Sequence, residues 1–269
     1  MTPLERPAEF AGKATVTDEE ARVYEKKDHK DDAPDSDAPA AEVALDKAQK
    51  AVGALASDFW EDAAELARVG GVKRTSLIVD PPDGKIPPRT PDGEKRYLAF
   101  WDSFNNYAGV KERPLSERCL PDSEVPIVPV GLNDNYQIVQ TPDAVMILAE
   151  IIHDARIVRI NGAHLRPNVR QWLGDSIGHW EGDTLVVDTT NFNAPISTLG
   201  ATENLHVTER FTRIDDHTLL YKATIEDPGT FTERWTIELP LVQTSQRIFE
   251  YACHEGNYSL QNLFGGVGK

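Results

Sequence analysis

QWLGDSIGHWEGDTLVVDTTNF (residues 171–192), followed by LHVTERFTRIDDHTLLYKATIEDPGTFTERWTIE (residues 205–238), decides the fold class. Residues 217–226 alternate. His217, Leu219, Tyr221, Ala223 and Ile225 fall on one face, and Thr218, Leu220, Lys222, Thr224 and Glu226 on the other. Residues 231–239 repeat the pattern: Phe231, Trp235, Ile237 and Leu239, broken only by Glu233, stand against Thr232, Arg234, Thr236 and Glu238. Successive side chains leave a strand on opposite sides, so period-two patterning with one wet face marks an antiparallel sheet. Turn formers punctuate it at Glu181-Gly182-Asp183, Asp215-Asp216 and Glu226-Asp227-Pro228-Gly229. Connections this short join antiparallel neighbours, so the block is a meander.

Working back from it, further strands are expected at 136–140, 144–152 and 155–160. Periodicity alone reads AVMILAEII (144–152) as either a buried strand or a helix; Pro142-Asp143 ahead of it and its β-branched content favour a strand. Residues 112–135 are irregular and proline-rich, 96–106 have helical spacing, and 80–91 (DPPDGKIPPRTP) form an extended loop. A strand is expected at 75–79. Upstream, Thr17-x-x-Glu20 is a capping box for a short helix from Asp18. Residues 29–41 are an acidic, proline-containing linker. Helices are expected at 42–55 and from Asp58, the second ended by Gly70-Gly71. The domain reading is an arm at 1–70 with short helices and an acidic linker at about 28–41, then an antiparallel β-barrel-like domain at 71–269. The fold class is mainly β, with a meander of roughly eight to ten strands closing into a barrel or strongly curved sheet, since closure removes exposed edges.

RTSLIVDPPDGKIPP, NDNYQIVQTPD, IIHDARIVRI, RQWLGDSIGHWEGDTLVVDTTNF, TENLHVTERFTR and YACHEGNY together resemble a large family of bacterial, often exported, hypothetical proteins. The resemblance covers nearly the whole chain from Thr2. Members usually carry a short segment ahead of TPLERP, and this chain begins without it, so export is not the first expectation. The resemblance carries no reaction, and no catalytic residues come with it.

Composition bounds the partners. Lys plus Arg is 28 against 44 for Asp plus Glu, a net charge of −16. A field of that sign repels nucleic acid and anionic membrane, and no basic patch overrules it. No apolar run approaches the ~20 residues of a membrane span. The expected partner is a small-molecule substrate; a homo-oligomer is compatible with the sequence. The expected location is soluble, cytoplasmic as the chain stands or periplasmic if an upstream signal was removed. Cys119 and Cys253 are far apart and outside any metal spacing; they either pair in an oxidising compartment or stay as buried thiols.

Gly174-Asp175-Ser176-Ile177-Gly178 is a literal G-x-S-x-G. A nucleophile elbow needs a buried strand before it and a helix after it, and neither flanks this one. The histidines carry more. His153-Asp154, His206-x-x-Glu209 and His254-Glu255 each set an imidazole near a carboxylate, and an imidazole titrates near neutrality. For any single one, a structural histidine satisfied by its neighbours is the commoner outcome. His29 and His217 sit in or beside polar loops and read as solvated. Glu150, inside VMILAEII, is either a tuned acid–base group or a buried partner for an arginine such as Arg156 or Arg210. Glu209 is ambiguous in the same way, and strand 206–213 is polar on both faces, as a ligand cavity requires. Tyr136, Trp172, Trp180 and Tyr258 are core by default, with Trp172 and Trp180 also placed to wall a pocket mouth.

The first functional expectation is therefore a cofactor-free lyase, isomerase or cyclase in a β-barrel cavity. His254, His206 and His153, with Glu150 or Glu209, would transfer protons; Tyr136, Arg156, Trp172, Trp180 and Tyr258 would hold a small, partly apolar substrate. No phosphate-cradling glycine loop or dinucleotide fingerprint is present, so no cofactor is expected, and no metal. The alternatives are a non-catalytic binder of such a molecule, and a metal-dependent hydrolase or oxygenase using His153, His206 and His254. A fourth reading makes the acidic arm an oligomer interface.

Overall fold

A computed structural model of the chain describes residues 2–28, 65–105, 108–121, 125–129, 134–193 and 200–265. It divides into two units, Met1–Lys85 and Ile86–Lys269. The boundary falls after residue 85 and not after 70, because the strands just beyond residue 70 pair with the amino-terminal segment.

In the first unit, α1 (Asp18–Asp28) starts at the expected capping box. The Glu20 N–H donates to Thr17 Oγ1 at 3.2 Å, and Glu20 Oε2 accepts from the Thr17 N–H at 2.9 Å. Each side chain thus satisfies a backbone donor the helix leaves unpaired. A three-stranded sheet has β3 (Val72–Arg74) between β1 (Thr15–Val16) and β2 (Arg68–Val69). Here the sequence reading needs correction. Gly70 and Gly71, both at positive φ, do not stop a helix; they form the hairpin turn between β2 and β3. A G-G pair suits either role, and only the partner strand decides. The short strand β4 covers Ile78–Asp80. The linker at 29–41, the helix at 42–55 and the start of the one from Asp58 lie outside the described residues, so the helical arm is not established.

The second unit opens with α2 (Pro91–Ser103), which begins earlier than its apolar spacing suggested. Thr90 caps it, accepting from the Gly93 N–H at 3.0 Å, and Pro91 takes the first helical position, where no N–H is needed. Eight strands then form one sheet in chain order. They are β5 (Tyr136–Gln140), β6 (Ala144–Ala149), β7 (Ala155–Ile160), β8 (Asp175–Glu181), β9 (Thr184–Thr190), β10 (His206–Arg213), β11 (Thr218–Glu226) and β12 (Trp235–Val242). The meander from β8 to β12 is antiparallel throughout, as are β5–β6 and β6–β7. The run 144–152 is a strand only to Ala149; a 3-10 turn, Ile151–His153, ends it.

Two finer expectations fail. β7 and β8 pair in parallel, because residues 161–174 carry the chain back to the starting end before β8 begins; such a step needs a long crossover. The sheet also does not close. Among the described residues β5 pairs only with β6, and after Val242 the chain leaves the sheet instead of pairing with β5. A short helix, α3 (Ser259–Gly265), ends the described chain.

The register explains the alternation. Val145, Ile147, Val158, Leu185, Val187, Val207, Phe211, Tyr221, Ala223, Ile225, Trp235, Ile237 and Leu239 are all buried and share one face. Glu233, which broke the pattern in sequence, precedes β12 and is exposed.

Candidate functional site

The buried face carries one ionic group at its centre. Glu209, on β10 between Val207 and Phe211, is 0 % exposed. Both its oxygens accept from Arg156 of β7, from Nη2 at 2.9 Å and from Nη1, and Oε1 also accepts from the Tyr221 hydroxyl at 2.8 Å. The Ile127 N–H donates to that hydroxyl oxygen at 2.9 Å. Burial alone would lower the Arg156 pKa, but the Glu209 charge outweighs it and holds it raised. Burial, reinforced by Glu209, pushes the Tyr221 phenol well above its ordinary value. The guanidinium and the carboxylate are joined by two bonds, and the Tyr221 hydroxyl adds a third to the carboxylate, so the group reads as a paired structural cluster. The inward polar group at Glu209 is therefore not a ligand surface. Arg156 and Glu209 hold each other.

The opposite face of the same strands carries a chain of alternating carboxylates and imidazoles. Asp175 Oδ2 lies 3.0 Å from His164 Nδ1, and His164 Nε2 lies 2.7 Å from Asp188 Oδ1. Asp188 Oδ2 lies 2.7 Å from His206 Nε2, and His206 Nδ1 lies 3.2 Å from Glu226 Oε2. Arg159 Nη1 and the Leu165 N–H both donate to Asp175, at 2.8 and 2.7 Å. His206 and Glu226 are direct cross-strand partners, and Asp188 lies one step along β9. The His206 hydrogen bond to Asp188 and the two carboxylate charges raise its pKa, and the same bond lowers that of Asp188. Asp175 is also lowered: burial opposes this, but Arg159, the Leu165 amide and His164 outweigh it.

A catalytic imidazole needs one ring nitrogen facing its substrate. Both nitrogens of His164 and both of His206 already face carboxylates. The chain is thus a clamp across β8, β9, β10 and β11, with both ring nitrogens of each histidine facing a carboxylate.

A concave trough of about 1100 Å³ opens on the buried-face side, toward the other end of the strands. Its floor is apolar: Val145, Ile147, Leu185, Phe211 and Leu239. Tyr136 of β5, Trp180 of β8, Arg213, His217, and Gln243 and Arg247 beyond β12 stand around it. Residues of β5 and of β12 line the same space. His217 is fixed on three sides. Its N–H donates to Asp215 Oδ1 at 2.8 Å, its carbonyl accepts from the Gln243 N–H at 2.7 Å, and its Nδ1 lies 2.8 Å from Gln243 Oε1. In the neutral tautomer that donates Nδ1–H to that amide oxygen, Nε2 is the accepting nitrogen. No hydrogen bond among the described residues occupies Nε2.

Of the residues singled out in sequence, Tyr136 and Trp180 lie in the trough and His206 in the clamp. Glu150 is buried and accepts from Asn135 Nδ2 at 2.6 Å; neither arginine suggested for it is used, since Arg156 pairs with Glu209 and Arg210 with Glu181 at 2.6 Å. His153 is exposed in the turn after β6, and His254 is exposed beside Cys253. Trp172 is half-buried in the β7–β8 connection, and Tyr258 is 65 % exposed. The structure does not bring His153, His206 and His254 into one bonded group. What was missed in sequence is His164, Asp175, Asp188 and Glu226; His217, read as solvated, is exposed, and its place on the trough wall was not foreseen. Strand register would have found Asp188 and Glu226; His164, in an irregular connection, carries no sequence signal.

Ser176 lies within β8, 2 % exposed, with its hydroxyl 2.9 Å from that of Thr189. Gly174, at φ +71°, has the Thr189 methyl 2.7 Å from where a Cβ would sit. The G-x-S-x-G match is thus a tight strand entry, with no helix after it. Cys119 and Cys253 form a disulfide. Among the described residues no three His, Cys, Asp or Glu side chains are grouped to hold a metal ion, and no helix is long and apolar enough to cross a membrane. The chain matches no protein-family model, no curated protein and no solved structure.

Proposed function

We propose that the second unit binds a small, partly apolar molecule in the trough and performs cofactor-free proton transfer on it, of the lyase or isomerase type, with His217 as the acid–base group. The observation that carries this is an oriented imidazole on the wall of an apolar-floored cavity, with one ring nitrogen held by Gln243 and the other without a hydrogen bond among the described residues. The cavity volume suits a small organic ligand, and a few polar groups around an apolar floor are the usual composition of such sites. Arg213 and Arg247 on the rim would orient a polar end of the ligand, while Tyr136 and Trp180 cover its apolar part. On this reading the polar groups first expected to act, His206 and Glu209, hold the sheet that carries the site.

The resemblance to exported bacterial proteins is part of the same proposal. The Cys119–Cys253 disulfide supports an oxidising compartment such as the periplasm.

The test is incubation of the purified protein with a fractionated bacterial metabolite extract in deuterated water, followed by mass spectrometry. Wild type should convert at least one compound by a redox-neutral change, gaining or losing water or exchanging a carbon-bound proton, and His217→Gln should not. Conversion that survives in His217→Gln would refute the assignment. A second reading, binding without chemistry, is favoured by the trough's openness: Trp180 on its wall is 43 % exposed, and proton-transfer sites usually exclude water. Compounds retained equally by both proteins and released unchanged would establish that reading instead.

A further inference from the structure

The trough's outer wall is a length of chain with a hydrogen-bonded or covalent anchor at each end. Gln243, Thr244, Gln246, Arg247 and Ile248 line the trough, and no strand or helix occurs between Val242 and Ser259. Upstream, Gln243 is bonded to His217 through backbone and side chain. Among the described residues, the hydrogen bonds of residues 244–252 stay local: the Gln246 N–H donates to Thr244 Oγ1, and the Tyr251 carbonyl accepts from the Cys253 N–H. The downstream anchor is the Cys119–Cys253 disulfide, with Asn257 Nδ2 donating to the Glu117 carbonyl at 3.0 Å.

The two sulfurs are not equivalent. Cys119 is buried, at 7 % exposure. Cys253 is half-buried, and its neighbours Ala252, His254, Glu255 and Gly256 are exposed. Asn257 Nδ2 lies 3.5 Å from Cys119 Sγ, where it would stabilise a departing thiolate. An incoming thiolate therefore reaches Cys253 first and meets the better leaving group behind it.

We infer that Cys253 is a site of reversible thiol–disulfide exchange with dithiol reductants, and that exchange there releases the trough wall. The thiolate of the dithiol bonds to Cys253 Sγ as the Cys119–Cys253 bond breaks, and the electron pair of that bond leaves on Cys119, which is protonated by water. The second thiol of the reductant then attacks its own sulfur in the mixed disulfide. Cys253 leaves as a thiolate and takes a proton, and the reductant becomes a disulfide. Two electrons and two protons have passed from the dithiol to the cystine; a small disulfide oxidant reverses the exchange. Residues 244–252 then hang from Gln243 and the weaker Asn257 contact.

Hydrogen–deuterium exchange of the full chain, with and without dithiothreitol, tests this. The hydrogen-bonded amides of the segment, those of Gln246 and Cys253, should exchange at least about tenfold faster after reduction while β8–β12 keep their protection, and Cys119→Ser/Cys253→Ser should reproduce the result without reductant. Unchanged exchange after complete reduction would overturn the inference, and so would loss of protection across β8–β12, which would make the disulfide a global staple. The order of attack has its own measurement. The thiol left in Cys119→Ser should form a mixed disulfide with oxidised glutathione faster than the thiol left in Cys253→Ser, and equal or reversed rates would refute it. Binding of the apolar probe 1-anilinonaphthalene-8-sulfonate should weaken on reduction. That readout rests on the trough being the ligand site and the exchange readout does not, so the two readings fail separately.

Discussion

Removing Arg156 should expose how Glu209 is held. The Glu209 carboxylate is 0 % exposed. In Arg156→Met it keeps one of its donors, the Tyr221 hydroxyl, against a charge taken wholly out of water. Breaking a buried pair by deleting one partner costs about 3–5 kcal/mol. The carboxylate has an escape, which sets a ceiling: it can take up a proton. Neutralising a group of ordinary pKa near 4.3 at pH 7 costs about 1.36 kcal/mol per unit over roughly 2.7 units, about 3.7 kcal/mol. The same step costs about 1 kcal/mol at pH 5. In the variant the buried carboxylate takes up a proton on folding, so the native state binds more protons than the unfolded one. Stability is then retained at low pH and lost as pH rises. Urea unfolding followed by tryptophan fluorescence, with the buried Trp235 as reporter, should show Arg156→Met losing about 3–4 kcal/mol at pH 7. The gap to wild type should shrink by about 2.7 kcal/mol on going to pH 5. Arg156→Met/Glu209→Met should recover most of the loss, since no charge is left buried. A pH-7 cost below about 1 kcal/mol, or a cost that is the same at pH 5 and pH 7, would refute the account.

The clamp on the other face has a weaker, oppositely bounded signature. The His206 pKa is raised, chiefly by its hydrogen bond to Asp188, so its contribution is complete below the unfolded value near 6.5 and fades as pH rises through the folded pKa. Its side chain is 35 % exposed, which screens the effect; His206→Gln should cost about 0.5–1 kcal/mol at pH 6 and close to nothing at pH 9, as read from urea midpoints. Gly93→Ala should destabilise the second unit by about 1–3 kcal/mol, because the added Cβ would lie 2.5 Å from the Thr230 carbonyl oxygen, which also accepts from Thr90; an unchanged thermal midpoint would mean the α2 contact is not made. Thr17→Ala should cost the first unit about 1 kcal/mol by removing the acceptor for the Glu20 amide, seen as faster hydrogen exchange in the first turn of α1.

What was legible in the sequence was what a strand or a cap writes locally. His217 to Glu226 alternate because Tyr221, Ala223 and Ile225 go inward, and Thr17 and Glu20 announce α1 because the motif and its bonds are three residues apart. What was illegible depends on which strand lies beside which. The parallel β7–β8 step turns on the path of residues 161–174, which have no periodicity. The failure to close turns on where the chain goes after Val242. Gly70-Gly71 fits a helix stop and a hairpin turn alike. That His206 and Glu209, three residues apart on a strand, face opposite sides was legible; which strands supply their partners was not. Their partners come from β7 and β11 on one side, and from β9 and β11 on the other.

That division of one strand argues for where function lies. β10 carries Glu209 inward to Arg156 and Tyr221, and His206 outward to Asp188 and Glu226. Both polar groups are used up in tying neighbouring strands, on opposite faces and toward the same end of the sheet. A residue with all its donors and acceptors matched is poor catalytic material, because any substrate must first displace a partner at the cost of a buried or half-buried hydrogen bond. Toward the other end of β10 and β11 the pattern changes. Phe211 and Leu219 line the trough, Arg213 donates to the Asp216 carbonyl, and among the described residues no hydrogen bond occupies the second ring nitrogen of His217. The sheet is thus tied where strands meet and left unsatisfied where the chain departs from it. Unmatched polar groups beside apolar floor are what a ligand can complete, which is why the search for chemistry belongs at His217 and not at the more conspicuous histidine pair.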